Sequence, residues 1–247
     1  MMTFALPLLA PAVLAGAAVA LHFRQDMAPH QGAIWAERAS VAALLIAFLS
    51  LVVLIAGGSG DSALLGIRGA GLSARLDTVS VTMLILVSFI GWIVVRYAKT
   101  YLDGEARQTY FTMWLLGTLA AVLLLVQSGN LIQFVVAWIA TSLCLHRLLL
   151  FYPGRIGAQR AARKKFVTAR AGDAALIGAA VLLATTYGTT GISEILAQAR
   201  LGEGGLPAAF AAALLALAAL LKSAQFPTHG WLTEVMETPT PVSALLH

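Results

Sequence analysis

The chain has 247 residues, 60% of them hydrophobic and 11% charged, with mean hydropathy +0.86. Soluble domains carry about 25% charged residues, so this composition excludes a soluble globule and predicts an integral membrane protein. The net charge of +5 is a question of location before it is one of nucleic-acid binding, and the one cysteine, Cys144, excludes internal disulfides, cysteine-rich zinc sites and iron–sulfur ligation within this chain.

Residues 3–21, TFALPLLAPAVLAGAAVAL, are as apolar as a signal-peptide core, but no Lys or Arg precedes them while His22 and Arg24 follow. A cleaved signal carries its positive charge in front, so the stretch predicts a retained first helix. A span takes about 20 apolar residues. The further candidates are 39–57, 78–95, 109–126, 131–152, 166–187 and 206–226, with 240–247 opening another. These predict an all-α, polytopic transmembrane bundle of about 7–8 helices. The short QSGN at 127–130 joins two spans as an antiparallel hairpin. GSGDSA at 58–63 matches G-x-G-x-x-A, a pattern with meaning only inside a βαβ unit; here it follows a span and leads into a loop. Two stretches are expected not to span: 61–77, and the amphipathic ISEILAQAR at 192–200.

Lys and Arg set the expected topology. With the N-terminus outside, the inner connections hold Arg24, Arg38, Arg96, Lys99, Arg107, Arg155, Arg160, Arg163, Lys164 and Lys165, and the outer ones only Arg68, Arg75 and Arg200. The 153–165 loop, containing RIGAQRAARKK, is therefore expected in the cytoplasm of a bacterial cell, with the protein in the inner (plasma) membrane. Its Arg163, Lys164 and Lys165 are candidate docking charges for an acidic soluble partner; nucleic-acid binding is not expected.

No catalytic constellation, nucleotide site or metal site is expected in this chain. Cys144 and His146 stand at i and i+2 on a helix and point to different faces, which favours packing over metal binding. Asp173, at the inner end of the sixth span, either pairs with Arg170 at i, i+3 or handles a proton, since ionisable groups at membrane depth are functional candidates. Lys222 is the strongest candidate. It lies about 24 Å along a straight helix from Leu206, where a lysine could snorkel to the surface. Pro227, however, lacks an N–H and crowds the carbonyl of residue 223, so the helix is expected to break just after Lys222. Broken helices at membrane depth occur only beside protein or a wet cavity. An amine there can load and release a proton, which a guanidinium cannot. His229, Glu237 and His247 follow as further proton-pathway candidates.

LLKSAQFPTHGWLTEVMETPTPVSALLH resembles the signature of the antiporter-like proton-translocating membrane subunits: the L-type subunit of respiratory complex I and its relatives in Mrp antiporters and membrane-bound hydrogenases. RLDTVSVTMLILVSFIGWIVVRYAKTYL and KKFVTARAGDAALIGAAVLL fit as well. The resemblance divides the chain into N-terminal helices with an outer loop, 1–75, and an antiporter-like module, 76–247, as an incomplete first repeat. It implies that Lys222 is the central proton carrier of a broken helix, that His247 relays the proton onward, and that Asp173 belongs to the charged network. One departure stands out. Complex I members carry tryptophan-glutamate-glycine on the fifth helix, whereas here Trp138 is followed by Ile139 in AWIATSLCLHRLLLFYP. With SLCLHRLLLFYP and AQRAARKKFVTARAGD, this stretch resembles the membrane subunits of Dab-type inorganic-carbon uptake complexes. That resemblance implies a cytoplasmic zinc-binding partner similar to β-carbonic anhydrase, with cation flow through the membrane subunit coupled to carbon dioxide hydration. The alternative it leaves open is a pump subunit of an NADH-quinone oxidoreductase or membrane-bound hydrogenase.

Overall fold

The computed structural model describes every residue except Met1, 25–27, 68–69, Pro153, 234–237 and His247. A 3-10 turn, Met2–Leu8, leads into α1 (Leu9–Phe23); Pro7 and Pro11 remove two amide donors from these first turns. There follow α2 (Pro29–Gly57), four short strands, α3 (Thr78–Tyr101), α4 (Gln108–Val126), α5 (Leu131–Leu149) and α6 (Ile156–Tyr187). The last third holds α7 (Ile192–Arg200), α8 (Gly205–Lys222), and the short α9 (Gly230–Thr233) and α10 (Thr240–Leu246). Among the described residues, 7 helical segments are long and apolar enough to cross a membrane, α1 with its lead, α2 to α6, and α8. They are the seven segments that the sequence predicts, and the molecule is an all-α polytopic bundle.

Boundaries differ in two informative places. The second helix starts at Pro29 rather than near residue 39, because Glu37 and Arg38 ride on the helix as charged extra turns. Glu37 accepts from Lys99 at 3.0 Å, tying α2 to the end of α3. The sixth helix starts at Ile156 rather than 166, so RIGAQRAARKK is largely helix and not a solvated loop. Its periodicity shows why: Ala158, Ala161, Ala162 and Lys165, at i, i+3, i+4 and i+7, are buried on one face, while Arg160, Arg163 and Lys164 are exposed.

The main core lies where α1 to α5 meet. Small residues on α2 (Ala36, Ala39, Ala43, Ala47) let its backbone approach α1 and α3, and Phe111, Leu115, Leu116 and Leu119 of α4 fill the centre. α3 opens with a capping box, in which the Asp77 carboxylate accepts from Ser80 N at 2.7 Å and Ser80 Oγ accepts from Asp77 N at 2.8 Å.

At the opposite end from the Glu37–Lys99 pair, residues 60–76 fold into two small antiparallel pairs, β1 (Gly60–Asp61) with β4 (Arg75–Leu76) and β2 (Leu65–Ile67) with β3 (Ala70–Leu72). Gly60 and Asp61 therefore sit in a strand pair and not in a dinucleotide-binding βαβ turn. Asn130, between α4 and α5, caps α5 by accepting from Gln133 N at 2.8 Å and donates to Gly71 O at 3.0 Å and Ser73 Oγ at 2.9 Å. The QSGN connection is thus fastened to the strand pairs.

α8 packs mainly on α6. Ala175, Leu176 and Ala218 form their shared core, and α8 runs beside Gly172, where a Cβ would stand 3.5 Å from Leu221 Cβ. α8 ends at Lys222, Ser223 caps it through Ala219 O at 2.9 Å, and Ala224 takes a left-handed φ of 52°. A non-glycine residue pays roughly 1–2 kcal/mol for that region. The break that Pro227 predicts is therefore present at the expected place, and α9 begins at Gly230.

Candidate ion-conducting site

The Lys222 amine reaches from the end of α8 across to α5. Its Nζ donates to Trp138 O at 3.0 Å, Thr141 Oγ1 at 2.8 Å and Ser142 Oγ at 3.0 Å, and it lies 4.4 Å from the centroid of the Trp138 ring. An ammonium has three N–H donors and no acceptor, so three acceptors match its charged form. Thr141 Oγ1 itself donates to Trp138 O at 2.7 Å, which leaves its lone pairs for the lysine. The α5 face that holds Lys222 is therefore neutral: two hydroxyls, a carbonyl and an aromatic ring, with Ile139 beside them.

A second amine joins the site. Lys165 of α6 is buried, at 6% exposure, and its Nζ donates to Ser142 O at 3.0 Å. Residue 142 thus accepts from Lys222 through its hydroxyl and from Lys165 through its carbonyl. This corrects the expectation that Lys165 is a surface docking charge: it falls on the buried face of α6, whereas Arg163 and Lys164 are exposed as expected. About two turns further along, Asp173 is 4% exposed and pairs with Arg170 at 2.6 Å, the Arg170 guanidinium lying over the Phe166 ring. The charges of Asp173 and Arg170 act on both amines. α6 thus presents Lys165, Arg170 and Asp173 toward the amine that α8 supplies.

Lys222 and Lys165 line a cavity of about 360 Å³, together with Thr141, Ser142, Thr168 and Ser223, and with Trp231 and Leu245 from beyond the break. Such a space is large enough for several waters, each taking about 30 Å³ in the liquid. Its polar groups are concentrated at the amines and hydroxyls. It can hold a hydrated cation route whose charge-carrying group is a primary amine.

Among the other sequence candidates, His229 is exposed, makes a tilted ring contact with Phe226 and does not line the cavity. Glu237 and His247 lie outside the described residues. Cys144 Sγ faces Gly117 of α4, while the His146 ring packs on Phe166 of α6, as expected for residues two apart on a helix. Sequence reasoning missed Thr141 and Ser142. Their signal was available: two adjacent hydroxyls three and four residues after Trp138, inside an apolar span, on the face one turn further along.

A multi-pass helical bundle with a helix broken beside a half-buried lysine and its cavity defines a class, that of polytopic membrane proteins with an ionisable group at a helix break. The comparisons with known proteins agree. The family described as "NADH:quinone oxidoreductase/Mrp antiporter, TM" matches residues 128–247, and that described as "NADH-Ubiquinone oxidoreductase (complex I), chain 5 N-terminus" matches residues 69–112. The chain belongs to this NADH:quinone oxidoreductase/Mrp antiporter family of membrane subunits. It is 46% identical over 180 residues to the probable inorganic carbon transporter subunit DabB of Hydrogenovibrio crunogenus, covering 72% of this chain and 35% of that one. It is 35% identical over 179 residues to NADH-quinone oxidoreductase subunit L of Escherichia coli, covering 72% of this chain and 29% of that one. The Mrp complex from Dietzia sp. superposes with a TM-score of 0.80 at 29% identity, over 97% of this chain and 26% of that one. The chain spans about a third of the length of the curated relatives it matches.

Proposed function

We propose that this chain is part of the cation-conducting membrane subunit of an inorganic-carbon uptake complex. In this reading, inward proton flow by way of Lys222 drives carbon dioxide hydration on a cytoplasmic zinc-containing partner similar to β-carbonic anhydrase, and this chain supplies no catalytic centre. The observation that carries the reading is the neutral α5 face opposite Lys222: Thr141, Ser142 and the Trp138 carbonyl hold the amine, and Ile139 stands where the respiratory members place a glutamate. The higher identity to the DabB relative, 46% against 35% over matches of nearly equal length, supports it.

The mechanism follows from the amine. As ammonium, Nζ satisfies all three α5 acceptors; as neutral amine it has only two N–H groups and a lone pair to offer. Loss of its proton to the cavity therefore loosens the hold of α5 on the end of α8. Lys165, on the same cavity, is a second amine whose like charge repels that of Lys222, and Asp173 offsets part of that repulsion. Hydration of carbon dioxide near equilibrium accumulates little unless something makes it directional. A gradient is worth about 2.3 kcal/mol per charge per 100 mV, and 1.36 kcal/mol is tenfold. One proton can thus bias the reaction by more than tenfold.

The test is made in a strain that lacks the full-length subunit. The wild-type protein is expected to restore inorganic-carbon accumulation and growth in air, and a protonophore to collapse the accumulation. Lys222→Ala is expected to reach the membrane and restore neither. Normal accumulation by Lys222→Ala would show that Lys222 is only an anchor. Deletion that spares growth in air but removes NADH-driven proton pumping would replace this reading with the respiratory one.

A further inference from the structure

A second cavity, of about 960 Å³, opens between α1 and α4 at the end of the bundle where Glu37 pairs with Lys99. It shares no lining residue with the cavity around Lys222. Along most of its length the wall is apolar or aromatic, with Val19 of α1 and Met113 and Trp114 of α4. At one end it is polar and cationic: Arg107 precedes α4, Arg147 stands in the last turns of α5, and His22 closes α1. Among the described residues, no Asp or Glu lines it.

Among the described residues, no carboxylate pairs with either arginine. The Arg147 guanidinium lies 5.7 Å from the Trp114 ring centroid and makes no ion pair among the described residues. Arg107 donates to Phe151 O at 2.7 Å and lies 4.8 Å from the Tyr110 centroid, contacts that orient the charge without cancelling it. Guanidinium groups at the end of a span reach to the interface, where water or an anionic headgroup can meet them. Cations gathered at the head of an apolar groove are the complement of an anionic amphiphile.

We propose that this groove binds one anionic phospholipid, its phosphate at the Arg107–Arg147 end and an acyl chain along Val19, Met113 and Trp114. A pocket of this size stands at the top of the range of about 300–1,000 Å³ for sites that enclose a small molecule. Basic pockets between membrane helices are the usual seats of anionic headgroups. An acidic protein segment fits less well, because its backbone would lie unsatisfied against the apolar wall. A free phosphate would leave that wall empty.

The full-length protein in its assembled complex is exchanged into phosphatidylglycerol or phosphatidylcholine nanodiscs, and lipids retained after mild delipidation are counted by native mass spectrometry. One phosphatidylglycerol per subunit is expected to persist, and phosphatidylcholine is not. Arg147→Gln should weaken retention by about fivefold, the effect of one basic residue at an anionic surface. Val19→Trp, which fills the groove from its exposed α1 side and leaves both arginines, should weaken it comparably. If Arg147→Gln fails to assemble, Val19→Trp carries the test alone. Unchanged retention in the assembled variants overturns the proposal. So does protection of the wild type against heat by inorganic phosphate equal to that by phosphatidylglycerol, which would mark a site for the free anion. A crosslink from position 147 to a partner protein with no lipid retained would overturn it as well.

Discussion

Lys222 is held by groups that carry no charge, so its grip depends on hydrogen-bond count. Hydrogen bonds to a charged group contribute about 1.5–3 kcal/mol each, and two of the three acceptors are hydroxyls that can be deleted with little change of shape. The double variant Thr141→Val, Ser142→Ala leaves only the Trp138 carbonyl. Cation flux through vesicles reconstituted with the full-length complex should fall by about tenfold or more, with the amount of protein in the membrane unchanged. Asp173→Asn should give a smaller loss, because the carboxylate is already committed to Arg170 at 2.6 Å and acts on Lys222 through space. Unaltered flux in the double variant would mean that the amine is positioned by α8 alone.

α6 is the element that joins the site to the surface. Its 32 residues extend about 48 Å, against a hydrocarbon core of about 30 Å. Several turns must therefore project beyond the bilayer, and the polar composition of 156–165 puts that projection at the N-terminal end. There Arg160, Arg163 and Lys164 share the exposed face while Lys165 turns inward to Ser142. A soluble partner that bound the exposed face would sit one helical turn from a residue of the cavity. Arg163→Glu with Lys164→Glu should lower co-purification of the soluble subunit by about tenfold or more, since like charges across an interface cost several kcal/mol. Full retention, measured by affinity pull-down of the complex, would place the docking surface elsewhere. Lys165→Glu belongs to a different experiment, because it puts a carboxylate into the cavity.

For the whole molecule, the distribution of Lys and Arg predicts a bundle with the basic projection of α6 in the cytoplasm and the strand pairs outside. The same fold places α1, α3 and α5 endings with the α6 projection, and the strand pairs with the QSGN turn at the other end. In a Cys144→Ala background, a cysteine at position 160 should resist a membrane-impermeant maleimide in intact cells and react after permeabilisation. One at position 65, on an exposed strand, should react in both. Labelling of position 160 from outside would invert the bundle and, with it, the direction of ion flow in the proposed coupling.

Span number, the two non-spanning stretches and the break after Lys222 were legible in the sequence, because each rests on a local cause: apolar length against membrane thickness, polar interruption, or the missing N–H of Pro227. Lys222 stood out in the same way, as a lone amine at the end of an apolar run, and so did Ile139 in place of a glutamate. What faces what was not legible. A basic run reads as loop or helix until its small residues find something to pack against; burial of Ala158, Ala161 and Ala162 made 156–165 helical and carried Lys165 inward with them. Thr141 and Ser142 became ligands of the amine only because α8, running beside Gly172 of α6, ends opposite α5. Composition and local geometry act along the chain and decide where it crosses the membrane. The partners of a buried charge are set across it, by which helices meet and in what register, and these only the packed bundle determines.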